Sequence, residues 1–78
     1  MPTVLREGSY RFYFYSNEKS EPPHIHVQRE RFLAKFWLES VSLARSKGFS
    51  SKELRAIQKI VETNRHLFLE AWDEHLKS

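Results

Sequence analysis

With 78 residues, 40% hydrophobic and 29% charged side chains and only two glycines, the sequence has room for one hydrophobic core rather than two domains and the make-up of a folded globule, without the composition of a disordered chain. It has no cysteine, which excludes disulfide frameworks and thiolate-bound metals and favours a reducing compartment. Thirteen Lys and Arg against ten Asp and Glu leave a net charge of +3, which admits a polyanionic partner without specifying one, and with no long apolar run or signal-peptide stretch the expectation is a cytoplasmic protein with no membrane partner.

Residues 3–6 are a short β-prone run and Gly8-Ser9 is a turn signal. Residues 10–15 are dense in aromatics, which pack well on a pleated surface, so the first two runs predict a hairpin. Residues 16–23 read as a polar loop whose closing prolines, Pro22 and Pro23, hold the backbone extended into a third strand over 24–27. Arg29-Glu30-Arg31 is a polar turn, residues 32–38 alternate as a fourth strand, and residues 41–44 form a short fifth.

Gly48 breaks the chain, and Ser50 followed by Glu53 has the spacing of a capping box, in which each side chain satisfies the other residue's backbone N–H. Beyond it Leu54, Ile57, Val61, Phe68 and Trp72 recur at helical spacing, with Arg55, Lys59, Glu62, Glu70 and Asp73 opposite. The expectation is one long C-terminal amphipathic helix, bent near Asn64. His66 falls on its solvated side; His75 and Asn64 fall beside the apolar stripe, as satisfied, partly buried polar residues. Strands first and helix last predict a single α+β domain over residues 1–78, an antiparallel sheet of three to five strands with the helix on one face.

Alternation sorts the sheet into two faces. Tyr10, Phe12, Phe14, Ile25, Val27, Phe32, Ala34, Phe36 and Leu38 belong beneath the helix, leaving Tyr13, Tyr15, His24, His26, Lys35 and Trp37 on the outer face. Aromatics and cations together are what single-stranded nucleic acids exploit, while a merely solvated face or one covered by a partner or a second copy fits the same residues.

Pro22-Pro23-His24-Ile25-His26-Val27 is the most distinctive stretch, and three readings of its imidazoles stay open. They are metal ligands completed by another His or a carboxylate such as Glu18 or Glu21, or a general acid and base, or structural groups bonded to the loop or a partner. Acid–base work on RNA also needs cations for the developing phosphorane charge, and Arg11, Arg29, Arg31 and Lys35 are near in sequence. No phosphate-binding glycine loop, serine elbow or zinc-finger spacing is present, so neither a cofactor nor a resident metal is expected.

Pro2-Thr3-Val4, the aromatic run from Tyr10 to Tyr15, Glu21 with the double-proline, double-histidine segment, Ala34-Lys35-Phe36-Trp37-Leu38, Gly48-Phe49-Ser50 and Leu69-Glu70-Ala71-Trp72 together resemble the bacterial family called domain of unknown function 4160, over essentially the whole chain. The resemblance implies a small stand-alone protein encoded beside a second short gene, in the manner of toxin–antitoxin pairs, and hence a small cognate protein as partner. By that analogy the chain is a toxin-like component of a type II pair acting on RNA as a metal-independent endoribonuclease. His24 and His26 then share proton transfer, Arg11, Arg29, Arg31 and Lys35 hold phosphate, and Tyr13, Tyr15 and Trp37 stack bases. The alternative is a non-catalytic protein- or nucleic-acid-binding module, antitoxin or regulator, of the same kind of pair; self-association through the outer face is compatible with either.

Overall fold

The computed structural model of the chain describes residues 3–15 and 20–76. Five strands, β1 (Thr3–Glu7), β2 (Tyr10–Tyr13), β3 (His24–Arg29), β4 (Phe32–Trp37) and β5 (Ser42–Lys47), lie in chain order in one sheet, every neighbouring pair antiparallel. Two helices follow, α1 (Ser51–Thr63) and α2 (Arg65–Leu76). Turns of two to four residues join β1 to β2, β3 to β4 and β4 to β5, as consecutive antiparallel strands allow. Neither helix is long and apolar enough to cross a membrane.

The core forms where alternation predicts. Phe12, Phe14, Ile25, Val27, Ala34, Phe36 and Leu38 from the sheet meet Phe49, Ile57, Val61, Phe68 and Trp72 from the helical half in one buried cluster. Phe12 stacks on Phe68 at 5.3 Å between ring centroids, and Phe14 meets Trp72 edge-on at 5.5 Å. Gly48 closes the sheet at φ +100, a conformation open to glycine, and a Cβ there would overlap the Phe32 ring.

Several expectations change in detail: β2 stops at Tyr13 rather than residue 15, and β3 runs through to Arg29, so that the turn keeps only residues 30 and 31. The fifth strand runs over Ser42–Lys47 rather than 41–44, because Val41 sits at φ +48 and belongs to the turn after β4. The single long helix is two helices. At Asn64 (φ −106, ψ 17) the side-chain amide donates to the Ile60 carbonyl oxygen at 2.8 Å, the local competition with helical backbone bonding that asparagine provides. Next to it the Arg65 guanidinium leaves the helix to donate to the Leu38 carbonyl at 2.7 Å. His75 is exposed rather than partly buried, its ring 6.3 Å from that of Phe14.

Half of the capping box forms. The Glu53 N–H donates to the Ser50 hydroxyl at 3.2 Å, but the Glu53 carboxylate turns to the sheet, accepting from Arg29 Nε at 2.7 Å and from the Tyr10 hydroxyl at 2.9 Å. The hydrogen bond from Arg29 is the main cause holding the Glu53 carboxyl below its ordinary range, with Tyr10 adding to it. Tyr10 is pushed up, first by burial and then by that same carboxylate. This cluster pins the start of α1 to β2 and β3.

Candidate functional site

On the face away from the core the register aligns one residue from each strand. Tyr13 pairs with His26, His26 with Lys35, and Lys35 with Arg45, a row across β2, β3, β4 and β5, with Thr3 of β1 continuing it beyond Tyr13. Neighbouring strands lie about 4.8 Å apart, so an aromatic ring, an imidazole, an ammonium and a guanidinium follow one another over roughly 15 Å. A second row of Arg11, Gln28, Leu33 and Lys47 runs parallel to it.

At the β2 end the rings interlock. His26 stacks on Tyr13 at 5.4 Å and 21° and meets Tyr15 edge-on at 4.7 Å; the Arg11 guanidinium carbon lies 4.4 Å from the Tyr13 ring centroid. Arg11 is held by Thr3 and Gln28, at 2.8 and 3.1 Å. Tyr13 is consequently buried by its neighbours, and Tyr15 is the more open ring at 37% exposure. At the β4 end the Lys35 ammonium sits 4.7 Å over the Trp37 ring and 2.6 Å from Glu21 Oε1. An open pocket of about 360 Å³ lies over the rows, lined by Tyr13, Tyr15, Glu21, His26, Lys35 and the β5 residues Arg45, Ser46 and Lys47 among others. That size and mix suit a small group of one aromatic ring with its charged substituent.

The two histidines part company here. His26 borders the pocket. His24, expected beside it on an open face, has no exposure at all: its ring lies 5.0 Å from His26, 5.7 Å from Trp37 and 4.8 Å from Trp72, with α2 reaching it from the helical half. Its Nδ1 is 2.9 Å from the Pro22 carbonyl oxygen, and since a carbonyl only accepts, Nδ1 carries the proton. Strand alternation predicts the side to which an imidazole points and is silent on what packs over it.

The expected phosphate-binding cations also divide. Arg11 and Lys35 are on the outer face. Arg29 faces the helices, bound to Glu53 and stacked 5.1 Å from the Phe32 centroid, and Arg31 is exposed in the turn between β3 and β4. Among the described residues no three His, Asp or Glu side chains converge as a metal site would require, and Glu18 lies outside the described residues. Sequence reasoning missed Arg45 and Lys47, because a strand ended at residue 44 leaves them in a loop. Alternate charges in Ser42–Lys47 were the available signal, since period two puts Arg45 and Lys47 on one face.

A model of the family described as domain of unknown function (DUF4160) matches residues 9–73. No curated protein and no solved structure matches the chain.

Proposed function

The chain belongs to the domain of unknown function family DUF4160, and from that starting point, which names no activity, we propose that it is a non-catalytic module that binds single-stranded nucleic acid across the outer face of its sheet. The observation that carries the proposal is the cross-strand row Tyr13, His26, Lys35 and Arg45 beneath an open pocket. A strand lying over such a row meets stacking surfaces at one end and cations at the other, which is how sequence-tolerant single-strand binding works. Tyr15 is the base platform; Lys35, Arg45 and Lys47 take the backbone.

The ribonuclease expectation draws support from the 5.0 Å separation of the two imidazoles and none from their access. Acid–base catalysis would ask both rings to reach the substrate, yet His24 is sealed by Trp37 and Trp72 and its Nδ1 proton is committed to Pro22. Binding without cleavage is therefore the reading. In a two-gene pair this module would act by holding RNA.

The test is a fluorescence-anisotropy titration of a labelled ten-nucleotide uridine RNA at several salt concentrations. Three backbone cations predict a slope of log affinity against log salt of about −2, falling to about −0.7 in the Lys35→Ala, Arg45→Ala double variant. No salt-dependent binding at low ionic strength, or a slope unmoved by the double substitution, would overturn the proposal. Cleavage of the same RNA, lost in His26→Ala, would replace it with the catalytic reading.

A further inference from the structure

The sheet ends on β5, and among the described residues nothing pairs with the far side of that strand. Five of its six residues, Ser42–Lys47, are exposed, so backbone N–H and C=O groups of alternate residues face outward along an edge roughly 20 Å long. The strand is held from behind. It pairs with β4 from Ser42 to Lys47, and Gln58 of α1 donates to the Val41 carbonyl oxygen at 2.9 Å, just before it begins.

The two faces of this edge differ in chemistry. Arg45 and Lys47 pair with Lys35 and Leu33 and so point to the outer face. Leu43 pairs with the core residue Phe36 and points to the helical face, yet it is 43% exposed. The irregularity that leaves Ala44 without a partner in β4 turns Leu43 and Arg45 to opposite sides. Cations and a bulge guard an edge strand against pairing with its own copies. A second copy would bring another Arg45 and Lys47 to the edge, and Ser42–Lys47 holds no acidic residue to meet them. At the opposite end of the sheet β1 carries Arg6 and Glu7, whose charges offset each other, so the β5 edge is the one with a preferred sign of partner.

We propose that the open edge of β5 docks an extended acidic segment of a partner protein, which adds to the sheet as a sixth strand. Backbone hydrogen bonds hold the segment and alternation reads it: acidic residues meet Arg45 and Lys47 on the outer face, and apolar residues between them cover Leu43 on the other. Two exposed cross-strand ion pairs set the contribution of the charges at about threefold to tenfold in affinity. The inference stands apart from the nucleic-acid reading, although both draw on Arg45 and Lys47.

The probe is a fluorescein-labelled eight-residue peptide of alternating glutamate and valine, titrated with the protein at low salt and followed by anisotropy. The expected result is saturable binding, weakened about threefold to tenfold in the Arg45→Ala, Lys47→Ala double variant. That variant should melt with wild type, because both side chains are exposed. A peptide of four glutamates followed by four valines has the same charge without the alternation, and should bind at least about threefold more weakly. N-methylation of alternate backbone amides should abolish binding on the peptide edge that faces β5 and leave it intact on the other. No binding of the alternating peptide, or equal binding of the block peptide, overturns the proposal. So does binding of both N-methylated peptides as tightly as the parent, since charge alone would then hold it. A double variant that binds as tightly as wild type overturns the assignment to β5.

Discussion

Replacing Trp72 by alanine removes the side chain that joins α2 to the sheet. The indole is 7% exposed, meets Phe14 edge-on at 5.5 Å and covers the His24 ring at 4.8 Å. A buried tryptophan hides roughly 150–250 Å² of largely apolar surface, which at about 25 cal/mol per Å² is about 4–6 kcal/mol. Core Trp→Ala substitutions cost about 3–5 kcal/mol in practice. A domain of this size has about 4–12 kcal/mol in total, so the variant should melt at least about 12 °C below wild type and be partly unfolded at growth temperature. Circular dichroism at 222 nm during thermal unfolding measures the shift. The control is Leu67→Ala on the same helix, 42% exposed and adjacent to fully buried Phe68, which should cost under about 1 kcal/mol. A Trp72→Ala midpoint within about 5 °C of wild type, or a Leu67→Ala variant that loses more than Trp72→Ala, would show that the register of α2 is wrong.

Two further outcomes follow from the helical side of the sheet and its turns. The Glu53 carboxyl is held below its ordinary value of 4.5 chiefly by the Arg29 hydrogen bond, so its stabilisation is present above that value and is lost as pH falls through the lower, folded one. Melting temperatures between pH 6 and 3 should therefore show wild type and Glu53→Gln converging toward acid; a constant gap across the range would refute the cluster's role. Glu30, the first of two residues in the turn between β3 and β4, sits at φ +56, where a two-residue hairpin favours glycine. Glu30→Gly should stabilise by about 0.5–1 kcal/mol, because the relief of left-handed strain exceeds the added freedom of the unfolded chain. Urea unfolding measures it, and a lowered midpoint would count against the strain.

The elements and their faces were legible because they follow from local chemistry. The aromatic run beginning at Tyr10, the alternation from Phe32 to Leu38 and the spacing of Ile57, Val61, Phe68 and Trp72 each repeat with the period of their own backbone, and the structure turns Phe12, Phe14, Ala34, Phe36 and Leu38 of the strands and those four helical residues into the buried core. Membership of the family was legible for a similar reason, in the double-proline, double-histidine segment and its flanks, and the family model matches residues 9–73.

What tertiary structure alone decided was contact between elements. Register across four strand pairs, with the irregularity between Lys35 and Phe36, brought Arg45 beside Lys35 and so completed the row, and no local pattern encodes that offset. Arg29 and Lys35 look interchangeable as strand cations, but parity sent one to Glu53 under the helix and the other to Glu21 over the pocket. His24 and His26 are two residues apart with the same chemistry, and Trp72, 48 positions further on, sealed one and left the other at the pocket's edge. Sequence periodicity determines the direction in which a side chain leaves its own backbone; the side chain's surroundings depend on where distant segments pack, and that is settled by burial of the core as a whole.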